Sequence, residues 1–265
     1  MALSRRQMLV GGAAGGGLLL AWGLMPRHYP LPLPPAPGEV AFDAWLRIGA
    51  DGMVTVAIPQ LEMGQGVLTV LAQVVAMELG ADWRQVAVQM APVSEIWANV
   101  PLARRWAPMW MPFWPGLADG EDGLLARRWA ERHRFMATAD GQSLAAYEAP
   151  ARHAAACARG MLAQAAARRW GVEAGQCRVE KGLISHGAQS LPFGALAAEA
   201  ARLTPPDPPP LRAQPPAQDP ALRDAGGFPR LDLPAKVDGS WPFAADIRLP
   251  GMVFAAIRNA PRGQA

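Results

Sequence analysis

The sequence predicts an α+β protein whose first folded part is an α/β sandwich-type domain. Three observations predict this class. A β-rich run at 53–58 leads into a short turn, an apolar run with helical spacing at 67–79 leads out of it, and residues 86–88 alternate again as a strand. A strand, a helix and a strand in this order are typical of a layered α/β arrangement.

Composition limits the class of protein further. The chain has 265 residues, of which 51% are apolar and 18% charged, and this allows one or two domains with a sizeable core. A net charge of +3 is too small to indicate a nucleic-acid partner, and no basic run comes with a recognisable nucleic-acid module. We therefore expect a folded protein that binds no nucleic acid.

The two cysteines exclude one kind of metal chemistry within this chain. An iron–sulfur cluster needs about four thiolates, and only Cys157 and Cys177 are present. Both are expected to be buried or unreactive, and a disulfide between them stays open. The four histidines are scattered without metal-ligand spacing, so no metal ligand is predicted.

Residues 1–25 are predicted to be an export signal or anchor. Residues 4–9, SRRQML, resemble a twin-arginine motif, and residues 10–24 form a short, uncharged, glycine-rich run. That run is shorter than the roughly 20 residues of a membrane span. No clear Ala-x-Ala site precedes Met25, so an uncleaved anchor stays open. We expect a periplasmic protein, with membrane anchoring left open; the alternative is an unstructured start with a chance Arg–Arg pair.

Residues 26–40 are predicted to be a proline-rich tether that precedes the main domain, residues 41–203. The run 29–37 is typical of an extended polyproline-type segment. After it, residues 44–48 alternate as a strand, and the Ala-Asp-Gly sequence at 50–52 predicts a hairpin into the strand at 53–58.

The turn after this strand is the first candidate binding site. Gly64 and Gly66 flank Gln65 between a strand and a helix, and the two glycines let the backbone approach a ligand closely. The first N–H groups of the helix have no partner within it, which favours an anionic or acceptor-rich group. The simpler interpretation is that the turn only connects two elements.

Residues 94–135 are the least regular part of the chain and contain five of the ten tryptophans. Prolines interrupt the aromatic run 106–115, which excludes a long helix or a central strand there. Arginines flank the run on both sides. Two interpretations stay open: a segment folded onto its own domain, and a docking surface for a partner subunit or a membrane interface.

A second turn of small residues, 138–143, precedes a long alanine-rich helix that ends at Trp170. Pro150 is expected in the first helical turn, and Gly171 is expected to cap the other end. One stripe of the helix should face the core and allow close packing, and it consists of Ala154, Cys157, Ala158, Met161, Leu162, Ala165 and Ala166. The arginines of the helix, Arg152, Arg159 and Arg168, should be solvated or salt-bridged.

The remaining residues divide into three predicted parts. A hairpin over 177–186 turns at Lys181-Gly182, and a short helix covers 191–203. Eight prolines in residues 204–220 indicate a linker. A new unit, residues 221–265, is expected to open with strands at 243–247 and 252–257.

Together these stretches resemble the molybdopterin-binding large subunit of the xanthine dehydrogenase and aldehyde oxidoreductase family. Within that family they resemble the branch that contains the beta subunit of isoquinoline 1-oxidoreductase and the membrane-bound bacterial aldehyde dehydrogenases. Residues 62–67, EMGQGV, match the cofactor loop of the family, and residues 139–143, ADGQS, resemble its second cofactor-contacting turn. Residues 230–252 resemble the opening of its hammerhead domain. At 140–142 the chain has Asp-Gly-Gln where the family commonly has a glycine pair.

The resemblance implies a molybdopterin cytosine dinucleotide cofactor, contacted by Gly64, Gln65, Gly66, Gly141, Gln142 and Ser143. Subunits of this family oxidise aldehydes or N-heteroaromatics with oxygen from water, and they pass electrons to an iron–sulfur subunit and, in membrane forms, a cytochrome c subunit. The catalytic glutamate of the family has no match here. We therefore expect the N-terminal portion of a truncated or split subunit, with an incomplete hammerhead-type domain, no catalytic residue and no turnover alone. The alternatives are a non-catalytic exported anchor or assembly module and a soluble binding protein.

Overall fold

A four-stranded sheet forms the first layer of the protein. Its strands, in spatial order, are β1 (Glu39–Ala41), β2 (Leu46–Gly49), β3 (Val54–Ile58) and β4 (Val86–Met90). The first three strands are antiparallel, and β4 runs parallel to β3 with Val86 opposite Val54. The predicted hairpin and the predicted strand–helix–strand order are confirmed.

The computed structural model describes Met25 and residues 27–120, 123–213 and 228–258. The predicted export signal therefore lies almost entirely outside the described residues. The chain divides into two units, Met1–Phe228 and Pro229–Ala265. No helix among the described residues combines the length and the apolar character that a bilayer crossing requires.

Two helices that pack against each other contribute much of the core. Helix α1 (Val67–Leu79) connects β3 to β4 and has the predicted bounds. Its main partner is the later helix Ser143–Trp170, and its side chains Leu71, Val75 and Leu79 are fully buried. The crossover helix therefore joins the sheet to the long alanine-rich helix.

Residues 95–120 and 123–135 form a small helical lobe, called the aromatic lobe below. It contains α2 (Val100–Arg105), α3 (Ala107–Trp110), α4 (Leu124–Arg132) and 3₁₀ turns at Glu95–Trp97 and Pro115–Asp119. Five buried alanines form its centre: Ala103, Ala107, Ala118, Ala126 and Ala130. The expectation of short, broken elements is confirmed, because the longest of these helices has nine residues.

Helix α5 (Ser143–Trp170) begins earlier than predicted, and Pro150 lies inside it. The proline removes the bond that an N–H would make to the carbonyl of residue 146. Tyr147 and Ala151, on either side of Pro150, are 2% and 0% exposed, so packing holds this turn helical despite the missing bond. The predicted stripe is buried except for the half-buried Cys157, and Gly171 caps the helix in the left-handed conformation.

A second, three-stranded sheet follows α5. Strands β5 (Arg178–Glu180) and β6 (Leu183–His186) form the predicted hairpin, with Lys181 and Gly182 at positive φ in its turn. The third strand, β7 (Gln189–Pro192), was not predicted, and helix α6 (Phe193–Ala200) is shorter than the predicted helix. The residues that begin the expected helix pair with β6 instead.

Residues 204–213, the start of the linker predicted over 204–220, pack against the rest of the first unit. The carboxylate of Glu78 on α1 accepts hydrogen bonds from the Arg212 backbone N–H and from Arg159, both at 2.8 Å. Gly160 allows a second close approach, because a Cβ there would lie 2.7 Å from Pro206 Cγ. Residues 214–220 lie outside the described residues.

The second unit contains a short helix, α7 (Leu233–Val237), and a 3₁₀ turn at Ala244–Asp246. The strands predicted at 243–247 and 252–257 are wrong for residues 228–258, where the structure has no strand. A strand needs a neighbour to bond its backbone groups, and Phe254 and Ile257 are 74% and 91% exposed. The hammerhead assignment stays a prediction.

Candidate functional site

The first candidate loop, residues 60–66, connects β3 to α1. Gly64 and Gly66 have φ values of 100° and 84°, a region that glycine adopts without strain. Gly66 is the residue that precedes the first turn of α1. The predicted glycine turn between a strand and a helix is therefore present.

The side chain of Glu62 closes this loop from within. Its carboxylate accepts hydrogen bonds from the backbone N–H groups of Gly64 (2.7 Å), Gly66 (3.0 Å) and Leu68 (3.1 Å). Of the helix N–H groups that were expected to favour a ligand, that of Leu68 is bonded to a carboxylate of the chain itself. A negative charge is favourable at this end of a helix, so Glu62 acts as the cap.

Gln65, the predicted amide contact, also stabilises the loop. Its Oε1 accepts from Met63 N–H at 2.6 Å, and its Nε2 donates to the Leu61 carbonyl at 2.8 Å. An amide nitrogen carries two hydrogens, so Nε2 can donate its second one outward. The side chains of Leu61 and Met63 are 59% and 63% exposed on this loop.

The second candidate loop, residues 138–143, precedes α5. Asp140 and Gly141 have φ values of 54° and 67°, and Gln142 Nε2 donates to the Asp140 carbonyl at 3.2 Å. The Asp140 carboxylate faces the aromatic lobe, where it contacts Arg105 at 3.2 Å and accepts from Trp106 Nε1 at 2.9 Å. The lobe therefore holds the start of this loop.

The structure brings the two loops together. Leu61 N–H donates to Thr138 Oγ1 at 2.9 Å, and Ser143 Oγ donates to Gln60 Oε1 at 2.8 Å. Residues more than 75 positions apart in the chain thereby form one continuous surface. Of the six predicted contact residues, Ser143 is the one whose side chain makes this connection.

Gln60 and Tyr147 position the site, and the sequence prediction did not include them. Gln60 is 1% exposed, and its Nε2 donates to the carbonyls of Pro59 (3.0 Å) and Met136 (3.1 Å). Tyr147 OH donates to the Trp97 carbonyl at 2.6 Å, and burial raises the pKa of this phenol. The available signal for Gln60 was an uncharged polar residue two positions after the end of a buried strand, next to Pro59.

The glycines of both loops leave room for another molecule. A Cβ placed on Gly64, Gly66 or Gly141 would meet no other atom of the described chain within 4 Å. The same two loops contain the amide residues Gln65, which is exposed, and Gln142, which is half-buried. A flat, polar group with many hydrogen-bonding atoms, such as a pterin, fits this donor set.

Comparison with known proteins agrees with this interpretation. Residues 5–103 match a molybdopterin cofactor-binding domain. The beta subunit of isoquinoline 1-oxidoreductase from Brevundimonas diminuta is 31% identical over 258 residues, which cover 86% of this chain and 29% of the relative. A nicotinate dehydrogenase subunit from Pseudomonas putida is 29% identical over 262 residues, 97% of this chain and 18% of that relative.

A third relative is the membrane-bound aldehyde dehydrogenase [pyrroloquinoline-quinone] of Gluconacetobacter polyoxogenes. It is 26% identical over 230 residues, which cover 85% of this chain and 25% of the relative. The chain thus spans less than a third of the length of each of these relatives. The name of this relative mentions a quinone, whereas the domain that residues 5–103 match binds molybdopterin.

The fold is α+β, and two of its glycine loops are joined by hydrogen bonds. The match over residues 5–103 identifies a molybdopterin cofactor-binding domain in this fold. Over most of its length the chain is similar to subunits of the isoquinoline 1-oxidoreductase, membrane-bound aldehyde dehydrogenase and nicotinate dehydrogenase type, which is the resemblance that its motifs predicted.

Proposed function

We propose that residues 60–66 and 138–143 bind a molybdopterin cofactor in its cytosine dinucleotide form. The observation that carries the proposal is the pair of hydrogen bonds from Leu61 to Thr138 and from Ser143 to Gln60, which joins two open glycine loops. Gly64, Gly66 and Gly141 would let the pterin approach the backbone. The second hydrogens of the Gln65 and Gln142 amides, and Ser143, would orient it.

In this proposal the chain is the cofactor-binding part of a molybdenum hydroxylase that oxidises aldehydes or N-heteroaromatics. The bound molybdenum centre would supply the oxidation chemistry, with oxygen from water. The names of the isoquinoline and nicotinate relatives support an N-heteroaromatic substrate, and the aldehyde dehydrogenase supports an aldehyde. An iron–sulfur subunit and a cytochrome c subunit are the proposed partners, because this chain has only two cysteines.

The described residues give this chain a binding role more readily than a catalytic one. Glu62 is the carboxylate nearest to the loop glycines in sequence, and three backbone N–H groups hold it. A general base must reach the proton that it removes, and Glu62 is directed into its own loop. Turnover by this chain without other subunits is therefore not expected.

Export belongs to the same proposal. The twin-arginine-like residues 4–9 and the uncharged run after them support transfer to the periplasm. Twin-arginine transport carries folded proteins, which suits a protein that receives its cofactor before export.

The test is the molybdenum and pterin content of the purified assembly. Gly64→Val and Gly141→Val should abolish cofactor retention, since a side chain there would fill the space that the pterin needs. Gly171→Val is the matched control: Gly171 has φ 67°, as Gly141 has, and open space around its Cβ, but it caps the far end of α5. Normal molybdenum content in both loop variants would refute the proposed site.

An exported anchor or assembly module is the second candidate. The observation that favours it is that Glu62 and Gln65 satisfy the first loop internally, so the loop holds its shape without a ligand. A wild-type assembly that contains neither molybdenum nor pterin would support this candidate. Quinone content, measured on the same sample, would reveal the other cofactor that a relative's name suggests.

A further inference from the structure

Four large apolar side chains of the aromatic lobe point away from its core. Met109, Phe113, Trp114 and Leu117 are 75%, 85%, 70% and 60% exposed, and the Phe113 and Trp114 rings lie 6.3 Å apart. They lie on and between α3 and the 3₁₀ turn Pro115–Asp119, which contact each other. These four side chains are called the apolar patch below.

The lobe does not need the patch for its own packing. Trp110 stacks on Trp129 with centroids 4.9 Å apart and an angle of 13°, and its indole donates to the Ala103 carbonyl at 2.7 Å. Trp110 and Trp129 pack against the alanine core, with Phe135 beside Trp129. The aromatic residues of the segment therefore divide into two sets. One set packs inside the lobe, as a segment folded onto its own domain would. The other set is exposed and is the candidate for a docking surface.

The patch is electrically neutral. Residues 106–118 contain no charged side chain. The flanking Arg105 pairs with Asp140 at 3.2 Å, and Arg134 pairs with Glu95 at 2.8 Å. These two flanking arginines thus have carboxylate partners. The patch itself has no charge that could attract an acidic protein.

The described part of the chain begins against the same lobe. The Met25 carbonyl accepts a hydrogen bond from Arg128 on α4, and the Tyr29 hydroxyl donates to Glu131 on the same helix at 3.1 Å. In the sequence, residues 7–26 contain no charged side chain. In the sequence, an uncharged, apolar run therefore comes directly before the residues that contact this lobe.

We propose that the apolar patch inserts into the interfacial layer of a lipid bilayer. Tryptophan is enriched at membrane–water interfaces, and exposed apolar side chains bind there through burial. The four side chains supply on the order of 600 Å², less than the roughly 800 Å² that each partner contributes to a stable protein interface. The neutral patch and the adjoining apolar run both favour lipid as the occupant.

A fluorescent label can locate the patch in the full chain, whatever residues 7–26 contribute to binding. With Cys157 and Cys177 changed to alanine, Leu117→Cys carries the environment-sensitive dye NBD, and Phe113 and Trp114 stay in place. Ser190→Cys, on the exposed strand β7, is the matched control. The probe is a vesicle of phosphatidylcholine and phosphatidylglycerol. We expect a blue shift and brighter emission at 117 with vesicles, and no change at 190.

A second measurement uses binding strength. Phe113→Ser/Trp114→Ser should weaken vesicle binding at least tenfold, because both aromatic side chains would no longer be buried in the bilayer. Met90→Ser/Val93→Ser removes two apolar side chains that are 46% and 68% exposed elsewhere in the unit, and binding should not change. The ratio of wild-type to Phe113→Ser/Trp114→Ser binding should be the same at high salt, since the patch carries no charge.

Three results would overturn the proposal. The label at 117 could stay in water on vesicle-bound protein, which would leave the patch outside the bilayer. The label could be shielded before vesicles are added, which would make another segment of this chain the occupant. Finally, self-association without lipid that Phe113→Ser/Trp114→Ser abolishes would make a second copy the occupant.

Discussion

The amide of Gln60 connects three parts of the chain that are distant in sequence. It accepts from Ser143, donates to the Met136 carbonyl and lies 3.5 Å from Tyr147 OH. Buried polar groups are costly unless they are hydrogen-bonded, and this one is bonded through both of its heteroatoms. A single side chain thus fixes the spacing of the two proposed binding loops.

Gln60→Leu should destabilise the protein by about 1–3 kcal/mol, because it leaves the Ser143 hydroxyl and the Met136 carbonyl without this partner. Urea unfolding measures the loss. Hydrogen exchange at the Leu61 amide should also accelerate, since its bond to Thr138 depends on the loop spacing. Gln73→Leu, on the half-buried side of α1, is the control; an equal effect in both variants would deny Gln60 a special role.

Asp43 gives the protein a defined pH dependence. Burial raises the pKa of its carboxyl from 3.8 to about 6, although the backbone N–H groups of Trp45 and Leu46 and the nearby His153 oppose the shift. Between these two pH values the unfolded chain ionises Asp43 while the folded chain keeps it protonated. The folded state then binds more protons, so this contribution to stability is lost as pH rises from about 4 to about 6.

The free energy of unfolding of Asp43→Asn should lack this decline with rising pH. Asparagine is always neutral and keeps the acceptor for the Trp45 N–H, which lies 2.7 Å from Asp43. Urea titrations across this pH range measure the slope. Asp51→Asn, at an exposed carboxylate that also accepts from a backbone N–H, should retain the wild-type slope. An unchanged slope in Asp43→Asn would contradict the assignment.

At the scale of elements, Glu78 joins three segments. The carboxylate is 3% exposed and lies on α1, and it pairs with Arg152 and Arg159 of α5 at 3.0 and 2.8 Å. The Arg212 N–H adds a third bond from residues 204–213. A buried carboxylate with this many donors is held firmly, but the strength of these hydrogen bonds and ion pairs depends on the negative charge of Glu78.

Glu78→Gln should cost about 3–5 kcal/mol of stability, since it leaves two arginines beside α1 without their buried counter-charge. Glu199→Gln is the matched control, because Glu199 pairs with Arg169 at the same 2.8 Å but at a surface position. An exposed pair contributes about 0–1 kcal/mol. Thermal unfolding compares the two, and protease sensitivity within 204–213 should rise only in Glu78→Gln.

At the scale of the whole molecule, the two units differ in how they use apolar residues. Outside the apolar patch, the first unit buries many large apolar side chains in the sheet, α1 and α5, with Leu46, Ile58, Leu71 and Leu162 at 0–1% exposure. The second unit is held by polar contacts at its start, where Asp232 accepts from Arg230 at 2.8 Å and from Lys236 at 2.5 Å. These bonds, that of Arg230 above all, lower the pKa of Asp232.

Local sequence patterns predicted those parts of the fold that depend on near neighbours. The hairpin at residues 50–52, the bounds of α1, the turn at Lys181-Gly182 and the cap at Gly171 all follow from turn chemistry and apolar spacing. The start of α5 was mispredicted, because propensity places a proline at a helix start and cannot include the packing of Tyr147 and Ala151 around it.

The sequence by itself determined the fold class, the family resemblance and the positions of both glycine loops, because each is encoded in residues that are adjacent along the chain. Only the tertiary structure decided that the loops meet through Gln60 and Ser143, that Glu62 fills the helix end, and that Trp110 is structural while Trp114 is exposed. These outcomes depend on which distant groups satisfy a buried donor or cover an apolar surface, and that choice is made by packing.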